Sequence, residues 1–182
     1  MSSSITSNFN CDSYHCNKSK KSSSFHMSSL TSHSLLDLVY YDVWGPSPIS
    51  TINVFTYYVI FVDHFTKYTR LCPLYIKYDR IPIFLKFKAT VECHFDTKLM
   101  TFYSDLGREY HKLTNSLQTN GVQHLTTPSY TPQHNGPSKW WHRHIVETNL
   151  TLLHQAFMSL SYWPVAFHTA IYVHISSTEW PP

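Results

Sequence analysis

The stretch TPQHNGPSKWWHRHIVE, residues 131–147, leads from a turn into a segment that predicts a long helix. Its first half contains the Pro, Asn and Gly residues that mark a turn. Polar and apolar residues then alternate at helical spacing over residues 138–157. One face of this predicted helix carries Trp141, Ile145, Thr148, Leu152 and Gln155. Lys139 stands in its first turn, and the chemistry of the protein depends on that position.

Three apolar segments far upstream predict the start of a sheet. Residues 35–44, 55–63 and 68–75 are rich in β-branched and aromatic residues, and the connections between them are short. Strands joined in this way are typical of an antiparallel meander.

The chain between the meander and the long helix alternates between helix and strand. Residues 81–95 have helical spacing, and Pro82 is tolerated in the first turn. Strands are predicted over 98–104 and 122–127, with a short helix over 111–120 between them. A last helix is predicted over 162–175, after the long one, so the predicted order is β-β-β-α-β-α-β-α-α.

Length and composition favour one globular domain with a tail. The 182 residues are 42% hydrophobic and 16% aromatic, and the formal charge of +3 is compatible with a nucleic-acid partner without requiring one. The longest apolar run, residues 57–62, is far shorter than the roughly 18 to 20 residues that cross a bilayer, so no membrane role is expected. The four cysteines fit no secreted framework and no signal segment opens the chain, which favours a location in the nucleus or cytoplasm.

The first 34 residues predict a disordered, Ser-rich tail, since residues 1–35 contain 13 serines and few large aliphatic residues. Cys11 and Cys16 lie in this tail and look like half of a zinc knuckle. Their spacing does not fit, because a C-x2-C pair would place its second sulfur at Tyr14. Zinc binding is therefore not expected, and two free thiols are the plain alternative.

Two acids stand at the ends of predicted strands, where sites in α/β proteins usually lie. Asp42 is near the end of the first strand, and Asp105 follows the fourth. Two-metal phosphoryl transfer needs carboxylates that converge from distant segments to hold two divalent ions. Asp is also common in ordinary turns, so these two residues alone leave both interpretations open.

Four motifs surround these acids in a characteristic order: YDVWGP (41–46), YYVIFVDHFTKY (57–68), FYSDLGREY (102–110) and LTTPSYTPQHNGPSKWWHRHIVET (125–148). In order and spacing they resemble the integrase core of copia-type LTR retrotransposons, over about residues 35–178. The resemblance implies an α/β, ribonuclease H-like fold. Its mixed five-stranded sheet has three antiparallel strands first and helices on both faces. It also implies that residues 35–178 are a core truncated at its carboxyl end.

The same resemblance implies an activity and its partners. Family members process the 3′ ends of element DNA and transfer them to target DNA, using three carboxylates with Mg²⁺ or Mn²⁺. DNA is thus the expected partner, and a homo-oligomer is a further expectation. The segment around Cys11 and Cys16 similarly looks like the end of the family's zinc-binding region.

Matched residue by residue, Asp42 and Asp105 take the places of the first two metal-binding acids, and Glu109 matches an acid of the second motif. The third motif departs from the family pattern H-N-G-x-x-E-R. Here it is H-N-G-P-S-K-W, so Lys139 stands where the third metal-binding glutamate belongs and Trp140 replaces the arginine. The second motif is altered too, at Leu106 and Arg108.

Lys139 predicts impaired binding of divalent ions. Two unit charges of the same sign 4 Å apart repel by about 4 kcal/mol at an effective dielectric constant near 20. Glu147 is not a substitute, because it lies about 12 Å further along a helix that rises 1.5 Å per residue. Glu109 is not on the third element. We therefore expect little or no strand transfer.

Other residues are candidates for contact with DNA phosphates, or else ordinary solvated surface. They are Lys67, His134, Asn135, His142 and Arg143. Three hypotheses remain open: a catalytically degenerate integrase core, a non-catalytic nucleic-acid-binding or protein-interaction module that reuses the fold, and an enzyme rescued by another acid.

Overall fold

The computed structural model describes residues 30–49, 51, 53–104, 111–126 and 136–176. The strands in this part of the chain are β1 (Leu38–Trp44), β2 (Tyr57–Asp63), β3 (Thr69–Leu74), β4 (Thr101–Ser104) and β5 (Gln123–Thr126). The helices are α1 (Arg80–Phe95), α2 (His111–Thr119), α3 (Gly136–Gln155) and α4 (Trp163–Ser176). Short 3-10 turns, Lys77–Asp79 and Leu160–Tyr162, lead into α1 and α4. The predicted order of elements is confirmed.

The five strands form one mixed sheet in the order β3-β2-β1-β4-β5. β1 pairs antiparallel with β2, and β2 pairs antiparallel with β3, which confirms the predicted meander. β4 lies parallel to β1 on its other side, and β5 lies parallel to β4. The parallel pairing requires a crossover, which α1 provides.

Helices cover both faces of the sheet, as the resemblance implies. Because side chains alternate along a strand, Leu38 and Tyr40 of β1 face one side, where α3 and α4 pack. Val39 and Tyr41 face the other side, where α1 and α2 pack. Both β1 and β2 are buried by helices above and below, which explains why their sequences are almost continuously apolar.

Asp63 is a buried acid that stabilises the turn between β2 and β3. It is 2% exposed, and its Oδ1 accepts a hydrogen bond from the Leu36 backbone N–H at 2.9 Å. Its Oδ2 accepts from the backbone N–H and the hydroxyl of Thr66, at 2.7 and 2.6 Å. Asp63 therefore joins the chain before β1 to the turn between β2 and β3. It is a structural acid, because its carboxylate is fully engaged in backbone and turn contacts.

Residues ahead of β1 contact the core. Leu30 packs against the apolar cluster under α3 and α4. The Ser32 hydroxyl hydrogen-bonds His64 Nδ1 at 2.7 Å. Cys11, Cys16 and the rest of the predicted tail before residue 30 lie outside the described residues.

The two long helices form an antiparallel pair on the sheet. Asn149, 2% exposed, donates from Nδ2 to the Trp163 carbonyl at 2.7 Å and so ties α3 to the start of α4. Of the face predicted for the long helix, Trp141 and Ile145 are buried, whereas Gln155 at its end is exposed. The buried face instead continues through Asn149 and Leu153, because α4 packs beside α3 and shifts the covered side of the helix.

Candidate active site

The candidate site lies at the edge of the sheet where β1 and β4 both end. The parallel register pairs Leu38 with Thr101 and Tyr40 with Tyr103. β1 then continues to the half-buried Asp42, while β4 ends at Ser104. Asp105 follows Ser104 directly and lies outside the described residues, as does Glu109. The structure therefore places one predicted acid, Asp42, near the end of β1, on the side of the sheet where β4 also ends.

Tyr58 and His142 connect this edge to α3. The Tyr58 hydroxyl and His142 Nε2 form a hydrogen bond, and the two rings stack with centroids 5.7 Å apart and planes 15° apart. Trp44 stacks on Tyr58 with centroids 5.2 Å apart. Burial, together with the nearby charge of Asp42, raises the pKa of the Tyr58 phenol. The phenol therefore stays protonated beside the carboxylate at any physiological pH.

His142 is a neutral residue in this arrangement. Burial lowers the pKa of its imidazole to about 4, well below the ordinary value of 6.5. At pH 7 it carries no charge with which to attract a phosphate. Its role in the fold is to hold α3 against β2 beside Asp42.

A second contact fixes the start of α3 on the sheet. Trp141 is 4% exposed, and its Nε1–H donates to the Thr69 hydroxyl of β3 at 2.9 Å. Lys139 lies two residues earlier, in the first turn of α3. The structure describes its helix but not its side chain. The His142 contact with Tyr58, which pairs with Trp44, brings this part of α3 to the end of β1 that carries Asp42.

On the other side of the edge, three polar side chains join β4, β5 and α2. Ser104 Oγ and His124 Nε2 lie 2.7 Å apart, and His124 Nδ1 lies 3.0 Å from Thr114 Oγ1. Burial lowers the pKa of His124. This hydrogen-bonded chain holds the last residue of β4, the one before Asp105.

The predicted nucleic-acid contacts do not all lie at this edge. Lys67 is in the turn between β2 and β3, where its ammonium donates to the His64 carbonyl. That turn follows Asp63, which pairs with Val39, so it lies at the opposite end of β1 from Asp42. Arg143 is half-buried on α3, next to His142. His134 and Asn135 lie outside the described residues.

Sequence patterns did not identify Tyr58 or Trp44 as neighbours of Asp42. Their signal was the period of two along the strands, which puts Asp42 and Trp44 on one face of β1. The antiparallel register then places Tyr58 opposite Trp44. Pairing register is a long-range property, so it was not available from either segment alone.

One of the three predicted metal positions, residue 139, does not fit a metal ligand. Among the described residues no group of three His, Cys, Asp or Glu side chains converges to hold a metal ion. Asp42 supplies one carboxylate, whereas position 139 is a lysine, whose ammonium has no lone pair to offer a cation. No helix in the described ranges is long and apolar enough to span a membrane.

Sequence comparison identifies plant relatives. The chain is 47% identical to the retrovirus-related Pol polyproteins from transposons RE2 and RE1 of Arabidopsis thaliana, over 163 residues and 90% of its length. It is 36% identical to that from transposon TNT 1-94 of Nicotiana tabacum, over 82% of its length. It spans about 11% of each of these proteins. No protein-family model matches it.

Comparison with solved structures finds the same fold at low sequence identity. A simian T-cell lymphotropic virus intasome in complex with the PP2A subunit B56 gamma is 12% identical, with a TM-score of 0.62. The match covers 92% of this chain and 64% of that one. The HTLV-2 integrase catalytic core in complex with magnesium is 14% identical, with a TM-score of 0.54, over 76% of this chain and 86% of that one. The BIV integrase core is 15% identical, with a TM-score of 0.50, over 80% and 86%.

Proposed function

The chain belongs to the retrovirus-related Pol polyproteins of copia-type transposons, and from this premise we propose that its integrase-like domain binds DNA without catalysing strand transfer. The observation that carries the proposal is Lys139 in the first turn of α3. That turn belongs to the helix that Tyr58 and His142 hold beside Asp42. A cation at this place opposes the two divalent ions that the reaction needs.

DNA binding rests on charges that do not depend on the metal site. Arg143 is half-buried on α3, and the chain carries a small net positive charge. Contacts from Arg or Lys to phosphates give binding that weakens as salt concentration rises and does not depend on sequence. We also propose that the protein forms oligomers and that it is located in the nucleus or cytoplasm. Both follow from the kind of protein to which the chain is related.

Strand-transfer assays test the loss of catalysis directly. The natural protein and a Lys139→Glu variant are incubated with Mn²⁺ and oligonucleotides that carry element ends. We expect no turnover by the natural protein, because its sequence lacks the third carboxylate. Only the variant could show turnover. Turnover by the natural protein would show that another acid substitutes, and the proposal would be wrong.

A filter-binding or anisotropy assay tests the DNA-binding half separately. We expect salt-dependent binding by both proteins, with the affinity falling between 50 and 200 mM salt by about tenfold for every two phosphate contacts. Arg143→Gln should weaken it and reduce the salt slope. Affinity unaffected by salt would contradict the proposed phosphate contacts.

A further inference from the structure

A cavity of about 280 Å³ lies at the β3 edge of the sheet, between strand β3 and helix α1. Its apolar lining on the α1 side is made by Phe87 and Val91. Its rim is basic, with Arg70 from β3, Lys86 from α1 and His168 from α4. No Asp or Glu is among the described residues that line it.

The charged groups of the rim converge on one place. Burial raises the pKa of the Cys72 thiol, while the nearby charges of Arg70 and Lys86 act in the opposite direction and favour its thiolate. Arg70 also acts on His168, whose pKa is lowered by burial and then by this guanidinium. Two permanent cations therefore face the same small space, with an imidazole that stays neutral beside them.

We propose that this cavity binds a small organic anion, one carboxylate or phosphate group carried on an apolar body about the size of an aromatic ring. The guanidinium of Arg70 suits a planar or tetrahedral anion through paired N–H donors, and Lys86 adds a second charge. The apolar lining of Phe87 and Val91 suits the ring. The inference does not depend on the proposed function, because no residue of the cavity belongs to the Asp42 edge.

Phenylacetate and phenyl phosphate are suitable probes, since they present the same ring with the two kinds of anion. 2-Phenylethanol is the uncharged analogue. Ligand-observed NMR on the full 182-residue chain gives the dissociation constants. For ligands of this size we expect a Kd on the order of 1 mM for the better anion. The tighter of the two probes identifies the kind of anion preferred.

Substitutions of the rim residues test which side chains bind the anion. Arg70→Gln and Lys86→Gln should each weaken anion binding by about tenfold, the effect of one charged hydrogen bond. Lys98→Gln is the matched control, since Lys98 is exposed, carries the same charge and does not line the cavity. Equal losses in all three variants would overturn the site and indicate a general charge effect.

The chain also contains its own reporter for occupancy. Cys72 lines the cavity and is half-buried, whereas Cys93 is exposed on α1 outside it. Alkylation by iodoacetamide, followed by mass spectrometry of each peptide, should show that the anion slows Cys72 several-fold and leaves Cys93 unchanged. Protection of Cys72 by 2-phenylethanol equal to that by the anions would overturn the proposal. The proposal would also be wrong if the anions, at about ten times the expected Kd, neither protected Cys72 nor showed binding by NMR.

Discussion

The Tyr58 hydroxyl and the His142 imidazole share a hydrogen bond that joins β2 to α3, two elements far apart in the chain, beside the carboxylate of Asp42. Both rings stack, and both are more buried than exposed. The bond therefore fixes the distance between the end of β1 and the helix that begins with Lys139. Removing either partner changes the geometry of the whole edge.

Protonation of His142 should destabilise the fold in acid. Because burial depresses its folded-state pKa to about 4 from 6.5, the unfolded chain takes up the proton first as pH falls. The neutral imidazole contributes on the order of 2 to 3 kcal/mol to the free energy of unfolding. This stability is fully present above about pH 6.5 and is lost between pH 6.5 and about 4. Urea unfolding at a series of pH values measures this loss.

His142→Phe separates this effect from other titrating groups. Phe keeps the ring stacked on Tyr58 but cannot be protonated, so the variant starts less stable at pH 7 and loses less stability on acidification. His174, whose pKa burial and His144 also lower to about 4, remains in both proteins and cancels in the comparison. Parallel pH profiles for the two proteins would contradict the assignment.

We expect Lys139→Glu to bind Mn²⁺ more tightly than the natural sequence does. The substitution replaces an ammonium, which repels divalent cations, with a carboxylate in the first turn of α3. Isothermal titration measures the binding. Lys139→Gln is the control, because it removes the positive charge without supplying a ligand and should bind much more weakly than the glutamate variant. Ordinary affinity for two ions in the natural protein would refute the argument from charge.

Asp63→Asn should lower the free energy of unfolding by about 2 kcal/mol. The amide that replaces Oδ2 cannot accept the hydrogen bonds of the Thr66 N–H and hydroxyl. Asp79→Asn removes the same charge from a half-buried residue whose Oδ2 accepts a long hydrogen bond, 3.4 Å, from the Ile76 backbone N–H. Chemical denaturation of both variants compares them, and similar losses would show that charge, not hydrogen bonding, accounts for the effect.

Gly45→Ala should destabilise the protein more than Gly121→Ala. Gly45 has φ of +132°, and an added Cβ would lie 2.5 Å from Tyr57 Cδ1 and 2.7 Å from the Thr56 carbonyl oxygen. Backbone strain costs about 1 to 3 kcal/mol, and overpacking costs about as much again. Gly121 also has positive φ, +69°, but nothing lies within 4 Å of the added carbon.

The control variant Gly121→Ala should therefore lose only about 1 to 2 kcal/mol of stability, the strain of a left-handed backbone at a residue with a side chain. Thermal unfolding of the two variants gives the difference. A larger loss at Gly121 than at Gly45 would mean that the end of β1 can move away from Tyr57.

Local sequence patterns were enough to predict the elements. The β-branched and aromatic run in residues 57–62 and the helical spacing in residues 81–95 depend only on neighbouring residues, and both segments fold as predicted. The antiparallel meander also follows from short connections. The resemblance implied only a mixed five-stranded sheet, and the position of β4 beside β1 was not predicted, because nothing local in residues 101–104 specifies a parallel partner.

The candidate site was predictable in its acids but not in its supports. Asp42 stands out because it ends an apolar strand within YDVWGP. Tyr58 and Thr69 do not stand out, since each reads as an ordinary strand residue until α3 docks on the sheet. The burial of Asn149 and Leu153 was not predictable either, because it depends on α4 packing beside α3.

The position of β1 in the middle of the sheet has a consequence during synthesis. Its antiparallel partner β2 leaves the ribosome soon after it, but the parallel partner β4 follows only when the whole of α1 has been made. Until then one side of β1 offers unpaired backbone groups that any extended chain can join. Nascent chains that stop within α1 should therefore expose this side of β1 to aggregation, whereas in chains extended through β4 that side is paired and only the face that α3 and α4 later cover remains bare.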